Sequence, residues 1–187
     1  MPRIKKYNEQ EVIEKAMNAF WHNGYEATSM QILEKEMGIN KFSIYSSFGN
    51  KNGVFLESLK CYKQKLNALI NKLKDSNQGV AGIKAYFYDF IAFSKENEIS
   101  KGCLITNTAN EIQQDADESI KEALYSFTEN VRSVFAQVLK QDASKDQATV
   151  EQQADYLIIS MFGLSSATRI FNKKQLDNYI QNIFINL

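Results

Sequence analysis

The amino-acid sequence predicts an all-α protein, because helix breakers are rare and apolar residues recur at helical spacing. The chain has 187 residues, with one proline, at position 2, and only eight glycines. Between the glycines, apolar residues return every three or four positions, which places them on one face of a helix. We expect about nine helices. They divide into an N-terminal domain of three short helices, residues 1–50, and a C-terminal helical domain, residues 51–187.

Three short helices are predicted in the N-terminal domain, each bounded by a capping residue and a glycine. The first begins at Asn8, whose side chain can accept hydrogen bonds from the amides of the first turn. It ends at Gly24, because glycine tolerates the left-handed conformation that ends helices. The second is predicted to open at Thr28 and to end at Gly38, and the third begins at Asn40.

A long fourth helix is predicted from Asn50 to about Leu73, and it joins the two domains. Five further helices follow it, and their spacing predicts bounds at about 80–95, 103–113, 118–140, 149–170 and 173–187.

The distribution of charge is more informative than its total. The chain carries 22 basic and 22 acidic residues, so it is not basic overall, as many nucleic-acid-binding domains are. However, residues 1–6 and 37–56 contain lysine or arginine and no acid. A local basic face of this kind can bind phosphates. The basic residues of these two stretches are Arg3, Lys5, Lys6, Lys41 and Lys51.

The sequence contains no sign of a membrane span, a metal site or a catalytic centre. No apolar run reaches the about 18 residues that a transmembrane helix needs, and no signal sequence follows the basic start. We therefore expect a cytoplasmic protein. His22 is the only histidine, and Cys61 and Cys103 lack metal-ligand spacing. We predict no metal, no cofactor and no catalytic residue.

The segment from Gly24 to Phe55 has the pattern of a helix-turn-helix. It consists of a short helix, a turn with glycine, and a second short helix at a sharp angle to the first. The second helix of such a unit enters the major groove of DNA. Here that helix carries small polar groups and one cation, which suit phosphates and base edges. These residues are Asn40, Lys41, Ser43, Ser46 and Ser47.

This segment resembles the DNA-binding domain of the TetR family of repressors. The resemblance covers about residues 8–60, and the rest of the chain matches mainly in the number and length of its helices. A turn at residues 101–104 also resembles one branch of the family. The matching residues stand at fixed spacing: Phe20, Gly24, Tyr25, Thr28, Ser29, Ile32, Gly38, Ile39, Lys41, Ser43, Tyr45, Phe48, Lys51 and Phe55.

The resemblance implies a set of DNA contacts. Asn40 and Lys41 would touch phosphates and base edges. Tyr45 would place its ring in the core and its hydroxyl on a phosphate. Lys51 would bind another phosphate beside the start of the fourth helix, where the helix dipole also favours anions.

Three further residues complete the implied contact set. Thr28 and Ser29, at the start of the second helix, would bind phosphates in the same way. Phe42 departs from the family, in which a small residue often stands at this position. A phenylalanine there either contacts thymine methyl groups or crowds the backbone.

An aromatic cluster in the predicted fifth helix points to a second site. Five aromatic residues occur within residues 86–93, and they cannot all lie on one helical face. Some of them either belong to ordinary core or line a pocket. The family resemblance favours a pocket for a small molecule, lined by Tyr86, Phe90, Phe93, Cys103, Asn107, Phe127 and Phe162.

Cys103 has two interpretations. It follows a glycine at a predicted helix start, and helix N-termini favour a reactive thiolate, so it could sense electrophiles or oxidants. Alternatively it is a small buried residue that packs a helix end, and we favour this second interpretation.

Three classes of function remain. The best supported is a repressor that binds palindromic operator DNA and is released by a small apolar or aromatic effector. An enzyme is disfavoured because catalytic motifs are missing. A helical adaptor that binds only proteins would not need the short polar helix with its acid-free surroundings.

Palindromic recognition implies a homodimer, because two identical half-sites match a twofold axis. We expect the last two helices to form the interface. Small residues, Gly163, Ser165, Ser166 and Ala167, would allow close approach there. The apolar candidates are Leu157, Ile158, Met161, Phe162, Leu164, Tyr179, Ile180, Ile183 and Phe184.

Overall fold

The computed structural model describes residues 7–96, 99–185 and 187. Within them the chain forms nine α helices, so the all-α prediction is confirmed. A two-residue antiparallel ladder, β1 (Lys95–Glu96) and β2 (Ile99–Ser100), adds a small element that the sequence did not predict. The helices are α1 (Glu9–Asn23), α2 (Met30–Met37), α3 (Lys41–Phe48), α4 (Lys51–Asp75), α5 (Val80–Ser94), α6 (Leu104–Glu111), α7 (Glu118–Leu139), α8 (Gln147–Ala167) and α9 (Lys173–Ile183).

Side-chain caps begin most of the helices, as the sequence predicts for α1, α3 and α4. Asn40 Oδ1 accepts the Ser43 amide at 2.9 Å, and Asn50 Oδ1 accepts the Gly53 amide at 2.9 Å. The predicted start of α2 is wrong, because Ser29 and not Thr28 caps it. The Thr28 side chain is fully buried and its hydroxyl donates to the Gly24 carbonyl at 2.5 Å.

Helices α1–α3, which we call the head, pack on the first turns of α4 through aromatic rings. The Phe20 and Phe55 rings meet edge to face with centroids 4.9 Å apart. The Tyr25 ring lies 4.7 Å from Phe55. Ile44 of α3 is also fully buried. Because these contacts run along α4, the head and the start of this helix share one core.

Helices α5–α9, which we call the body, surround the second half of α4. In their core the Tyr86 and Phe135 rings lie 5.7 Å apart. At the surface, the Arg132 guanidinium binds Glu151 at 2.7 Å and Asp155 at 2.5 Å, so α7 is tied to α8.

The structure corrects the predicted dimer residues. Several of them are core residues of a single chain, because they are buried within it rather than exposed to solvent. Leu157, Leu164 and Ile180 are fully buried, and Ile183 is nearly so. Tyr179, one of the predicted dimer residues, is exposed. So are other large apolar residues on α8 and beyond it: Tyr156, Ile159, Ile170, Phe171 and Ile185.

Trp21 joins the head to the body. Its indole nitrogen donates to the Gly102 carbonyl at 3.2 Å, between residues 81 positions apart in sequence. Its ring packs 5.1 Å from Tyr62 and 5.5 Å from Phe93. The end of α1 is therefore held directly by the turn that precedes α6.

Among the described residues, no helix is long and apolar enough to cross a membrane. In the same part of the chain, no group of three or more histidine, cysteine or acidic residues is placed to hold a metal ion. The basic residues Arg3, Lys5 and Lys6 lie outside the described residues.

Candidate functional site

Helix α3 presents one face to solvent at the end of the head. Phe42 is 74% exposed, Tyr45 is 49% exposed, and Ser46 is also exposed. Ile44 points the other way into the core. The helix contains no acidic residue. Its exposed face carries the Phe42 ring, the Tyr45 phenol and the Ser46 hydroxyl. That is the surface that a major groove can accept.

The structure corrects the predicted position of Tyr45. Its ring is half exposed and does not lie in the core, because Ile44 fills that place. Ring and hydroxyl are therefore both available on the outer face of α3. The neighbouring sequence explains the error, since Ile44 and Tyr45 are both large and adjacent, and only one of them can face inward.

The start of α3 is held by polar contacts. The Asn40 side chain caps the helix, so its Oδ1 atom already accepts a hydrogen bond from the Ser43 amide. The Lys41 amide donates to the Glu34 carboxylate at 3.0 Å, which ties α3 to α2. The half-buried Lys41 side chain and the side-chain NH2 group of exposed Asn40 remain available to a phosphate.

Ser43 and Ser47 face the start of the chain rather than open solvent. The Tyr7 hydroxyl lies 2.7 Å from Ser47 Oγ and 3.5 Å from the Ser43 carbonyl oxygen. Both serines are half-buried. The sequence analysis did not single out Tyr7, because it precedes the first helix and belongs to no apolar stripe.

Lys51 stands at the first position of α4, close to the α1–α2 turn. Its ammonium donates to the Glu26 carbonyl at 3.2 Å and lies 4.4 Å from the centre of the Tyr25 ring. Partial burial lowers the Lys51 pKa, against the opposing effect of the Glu26 and Glu111 carboxylates. Ser29, which caps α2, is exposed. Thr28 is buried and therefore offers no side-chain group to a phosphate.

Two acidic residues of the body hold this same turn and the start of α4. The Glu111 carboxylate accepts the Glu26 amide at 3.2 Å. Asp117 accepts the Asn52 side-chain amide at 2.8 Å, and Asn52 accepts the Tyr25 hydroxyl at 2.5 Å. Hydrogen bonds from Ser119 and Asn52 lower the Asp117 pKa. The α6–α7 connection thus contacts the head beside Lys51, a link between distant residues that sequence spacing did not reveal.

A small cavity lies inside the body, where the sequence predicts a ligand pocket. Its volume is about 30 Å³, close to the share of one water molecule in the liquid. Typical ligand pockets measure about 300–1,000 Å³. Five of the predicted residues line it together with others, namely Tyr86, Phe90, Cys103, Phe127 and Phe162.

Two predicted pocket residues lie elsewhere. Phe93 packs against Trp21 and Tyr62 at the junction with the head. The Asn107 amide donates to the Lys101 carbonyl at 2.8 Å and so fixes the turn before α6. Phe93 has partners that the sequence could not show, because Trp21 and Tyr62 come from other helices.

Tyr62 of α4 contacts Cys103, which lines the cavity. The Tyr62 hydroxyl donates to Cys103 Sγ at 3.2 Å. Complete burial raises the Tyr62 pKa well above its ordinary value, so it remains a neutral donor. The Cys103 amide donates to Ser165 Oγ at 2.9 Å. Cys103 is a buried residue at the start of α6, as our favoured interpretation requires.

Two family models match this chain. Residues 12–58 match the N-terminal model of "Bacterial regulatory proteins, tetR family". Residues 79–184 match the "Tetracyclin repressor-like, C-terminal domain" model. The chain belongs to the TetR family. It is therefore a DNA-binding transcription regulator and not an enzyme, and the resemblance seen in the first third of the sequence is confirmed.

Curated relatives include regulators from Bacillus subtilis and Staphylococcus aureus. The chain is 31% identical over 112 residues to the HTH-type transcriptional regulator YezE of Bacillus subtilis, covering 59% of this chain and 58% of that protein. The match therefore spans less than two thirds of YezE. It is 25% identical over 150 residues to IcaR of Staphylococcus aureus, the negative transcriptional regulator of the biofilm operon icaADBC, covering 79% of this chain and 77% of IcaR.

Solved TetR-family structures share the fold along almost the whole chain. A cysteine mutant of CifR, complexed with 26-base-pair operator DNA, superposes with a TM-score of 0.87 at 22% identity and covers 97% of both chains. Reduced NemR of E. coli superposes with a TM-score of 0.82 at 18% identity and covers 95% of both chains. At these identities the likeness concerns the fold alone.

The contact of Glu111 with the α1–α2 turn can be tested at Gly24. An added methyl group at Gly24, where φ is +89°, would lie 2.5 Å from a Glu111 carboxylate oxygen. At Gly38, where φ is +70°, it would meet nothing within 4 Å. We expect Gly38→Ala to cost about 1 kcal/mol of unfolding free energy, as αL strain alone does. Gly24→Ala should cost at least about 2 kcal/mol, because strain is joined by the displaced carboxylate.

The measurement is urea unfolding at one protein concentration. Adding Glu111→Ala to Gly24→Ala should recover part of the loss, and adding it to Gly38→Ala should not. Equal effects of Glu111→Ala in both backgrounds would show that Glu111 does not crowd this turn.

Proposed function

We propose that this regulator is a repressor that binds a palindromic operator as a homodimer and responds to a small apolar or aromatic effector. The observation that carries the proposal is the exposed, acid-free face of α3 at the tip of the head. The negative regulator IcaR, a relative over most of its length, supports the repressor assignment. In this proposal residues 1–50 form the DNA-binding domain and residues 51–187 the sensing and dimerisation domain.

We assign DNA contacts to the exposed groups of the head and drop Thr28 because of its burial. Phe42, Tyr45 and Ser46 would face base edges. Asn40, Lys41, Ser43 and Ser47 would contact DNA from the flanks of α3. Ser29 and Lys51 would bind phosphates at the starts of α2 and α4, where free amides favour anions. The first experiment is a gel shift with the DNA upstream of the protein's own gene.

Lys51→Ala should weaken binding to every duplex alike, because phosphates carry no base identity. Each lost phosphate contact makes the negative slope of log affinity against log salt shallower by about 0.9. A dimer loses two such contacts, so its slope should become shallower by about 2. Lys74→Ala is the matched control, since Lys74 is exposed at the opposite end of α4. Phe42→Ala should instead change sequence preference by at least about fivefold. If Lys51→Ala left the salt slope at the control value, its phosphate role would be refuted.

The dimer surface is assigned to the outer face of α8 and the adjoining part of α9. Tyr156, Ile159 and Gly163 recur at spacings of three and four, so they lie on one side of α8, and Ile170 follows just beyond the end of this helix. At Gly163 a side chain would meet the Tyr179 hydroxyl at 2.9 Å. An apolar groove of about 320 Å³ lies beside Gly163 and Tyr179, between α8 and α9. Such a surface fits a second copy of itself.

Ile159→Arg should therefore yield a monomer, because two charges would be buried at the twofold axis without partners. Tyr125→Arg is a matched control on α7: Tyr125 is 69% exposed and Ile159 is 70% exposed. Sedimentation at micromolar concentration should give a dimer for the wild type and the control. If the Ile159→Arg variant remained a dimer, the assignment of the interface to this face of α8 would be wrong.

The effector site is assigned to the cavity in the body, which must widen to admit a ligand. The cavity wall includes Cys103, and the next residue back, Gly102, accepts the Trp21 hydrogen bond. A ligand that displaces this turn would therefore move the end of α1. A preference of about 1–3 kcal/mol for one state changes operator affinity about 5- to 150-fold.

Val131→Leu should blunt the response to effectors found by screening apolar aromatic compounds. Val131 lines the cavity, so the added methylene group takes up space that the ligand needs. We expect at least about fivefold weaker effector binding, with unchanged operator affinity in its absence. Val134→Leu, on the same helix but outside the cavity lining, is the control. The emission of Trp21, the only tryptophan, reports the movement. Equal responses in both variants would exclude this cavity.

A further inference from the structure

Tyr86 lines the cavity of the body with a hydroxyl group that has no hydrogen-bond partner among the described residues. The residue is almost fully buried, and its ring is fixed against Phe135. Buried hydroxyl groups nearly always have a partner, because an unpaired one costs free energy. Within the same residues, a side-chain oxygen that is both completely covered and unpaired occurs only at Gln153. The Tyr86 oxygen is therefore not sealed in by apolar atoms, and the open space that Tyr86 borders is the cavity.

Other hydroxyl groups in the cavity wall are satisfied. The Thr128 hydroxyl donates to the Leu124 carbonyl at 3.0 Å. Ser165 Oγ accepts the Cys103 amide at 2.9 Å. Thr106 is the exception, because it is buried in the same wall and its hydroxyl has no partner in the part of the chain that the structure describes. One cavity thus holds two unpaired hydroxyl groups, one from α5 and one from α6.

The cavity wall carries no compensating charge. None of the described residues that line it is acidic or basic. Burial raises the pKa of Tyr86, and the nearby Cys103 thiol adds to this effect, so the Tyr86 hydroxyl remains a neutral donor. A carboxylate or an ammonium group would lose its hydration in this wall without gaining a counter-charge. The cavity therefore favours uncharged ligands.

We propose that the effector is an uncharged aromatic compound with a carbonyl group, whose oxygen accepts a hydrogen bond from the Tyr86 hydroxyl. This inference rests on the proposed function, because it assumes that the effector enters this cavity. A carbonyl oxygen has two lone pairs and no donor of its own, so it matches a wall that offers two unpaired hydroxyl groups. Aromatic rings suit the rest of the wall, which includes Phe90, Phe127 and Phe162.

The test compares aromatic ketones with alkenes of the same shape. Acetophenone is paired with α-methylstyrene, and the larger benzophenone with α-phenylstyrene; benzoate is the charged counterpart of acetophenone. Isothermal titration calorimetry measures binding to the wild type, to Tyr86→Phe and to Tyr125→Phe. The last is the matched control, because it removes a phenol hydroxyl from the exposed side of α7.

Tyr86→Phe should weaken ketone binding at least about fivefold, because the buried carbonyl oxygen loses its partner. The same variant should bind the alkenes as the wild type does, since they make no hydrogen bond. Tyr125→Phe should change neither. Benzoate should bind the wild type at least about tenfold more weakly than acetophenone does.

Urea unfolding tests the unpaired hydroxyl without any ligand. Tyr86→Phe removes no hydrogen bond within the described residues, so its midpoint should equal or exceed that of the wild type. Tyr62→Phe removes the donor to Cys103 Sγ and should lower the midpoint. If both variants lowered it equally, the Tyr86 hydroxyl would already have a partner, and the inference would fail.

The binding outcomes separate this inference from the proposed function. If Tyr86→Phe affected ketones and alkenes alike, or if benzoate bound as well as acetophenone, the inference would be overturned. An apolar aromatic effector in this cavity would still stand as long as the alkenes bind. If no compound bound and none changed operator affinity in a gel shift, the effector site of the proposed function would itself be wrong, and this inference with it.

Discussion

The packing of the head against the first turns of α4 is the constraint on which the rest of the molecule depends. Phe20, Tyr25 and Phe55 form one buried cluster, which joins α1 and the α1–α2 turn to α4. An aromatic pair contributes about 0.5–1.5 kcal/mol beyond its buried area. Because α4 continues into the body as one helix, a tilt of α4 relative to the body moves the DNA-facing surface with it.

Three hydrogen bonds connect the body to the head and to the start of α4. Trp21 binds the Gly102 carbonyl next to the cavity, Glu111 binds the α1–α2 turn, and Asp117 binds Asn52 at the start of α4. None is a large apolar surface. Single hydrogen bonds contribute about 0.5–1.5 kcal/mol each, a range comparable with the coupling energies of allosteric proteins. The body can therefore bias the head without holding it rigidly.

The cavity and the recognition surface are organised in opposite ways. The exposed face of α3 exists before any partner binds, and its supporting contacts to Glu34 and Tyr7 keep the helix in place. The cavity, by contrast, is closed to about 30 Å³ by aromatic and aliphatic side chains. Packed side chains repel an added group, so a ligand must shift helices to enter. In the proposed function, that requirement would link ligand entry to movement near Cys103 and hence to Trp21.

The sequence by itself determined the helix order, the capping residues of α1, α3 and α4, and the family, because these depend on neighbours within a few positions. Five of the seven pocket residues that it predicted line the cavity. Only the tertiary structure decided which apolar residues face another helix and which face solvent. Ile44, and not Tyr45, lies in the core, and Thr28 is buried. Leu157 and Ile180 lie in the core, whereas Ile159 is exposed. Periodicity shows that a helix has an apolar face, but a helix packed on several sides has more than one. The angle between helices, which is set by long-range packing, selects among them.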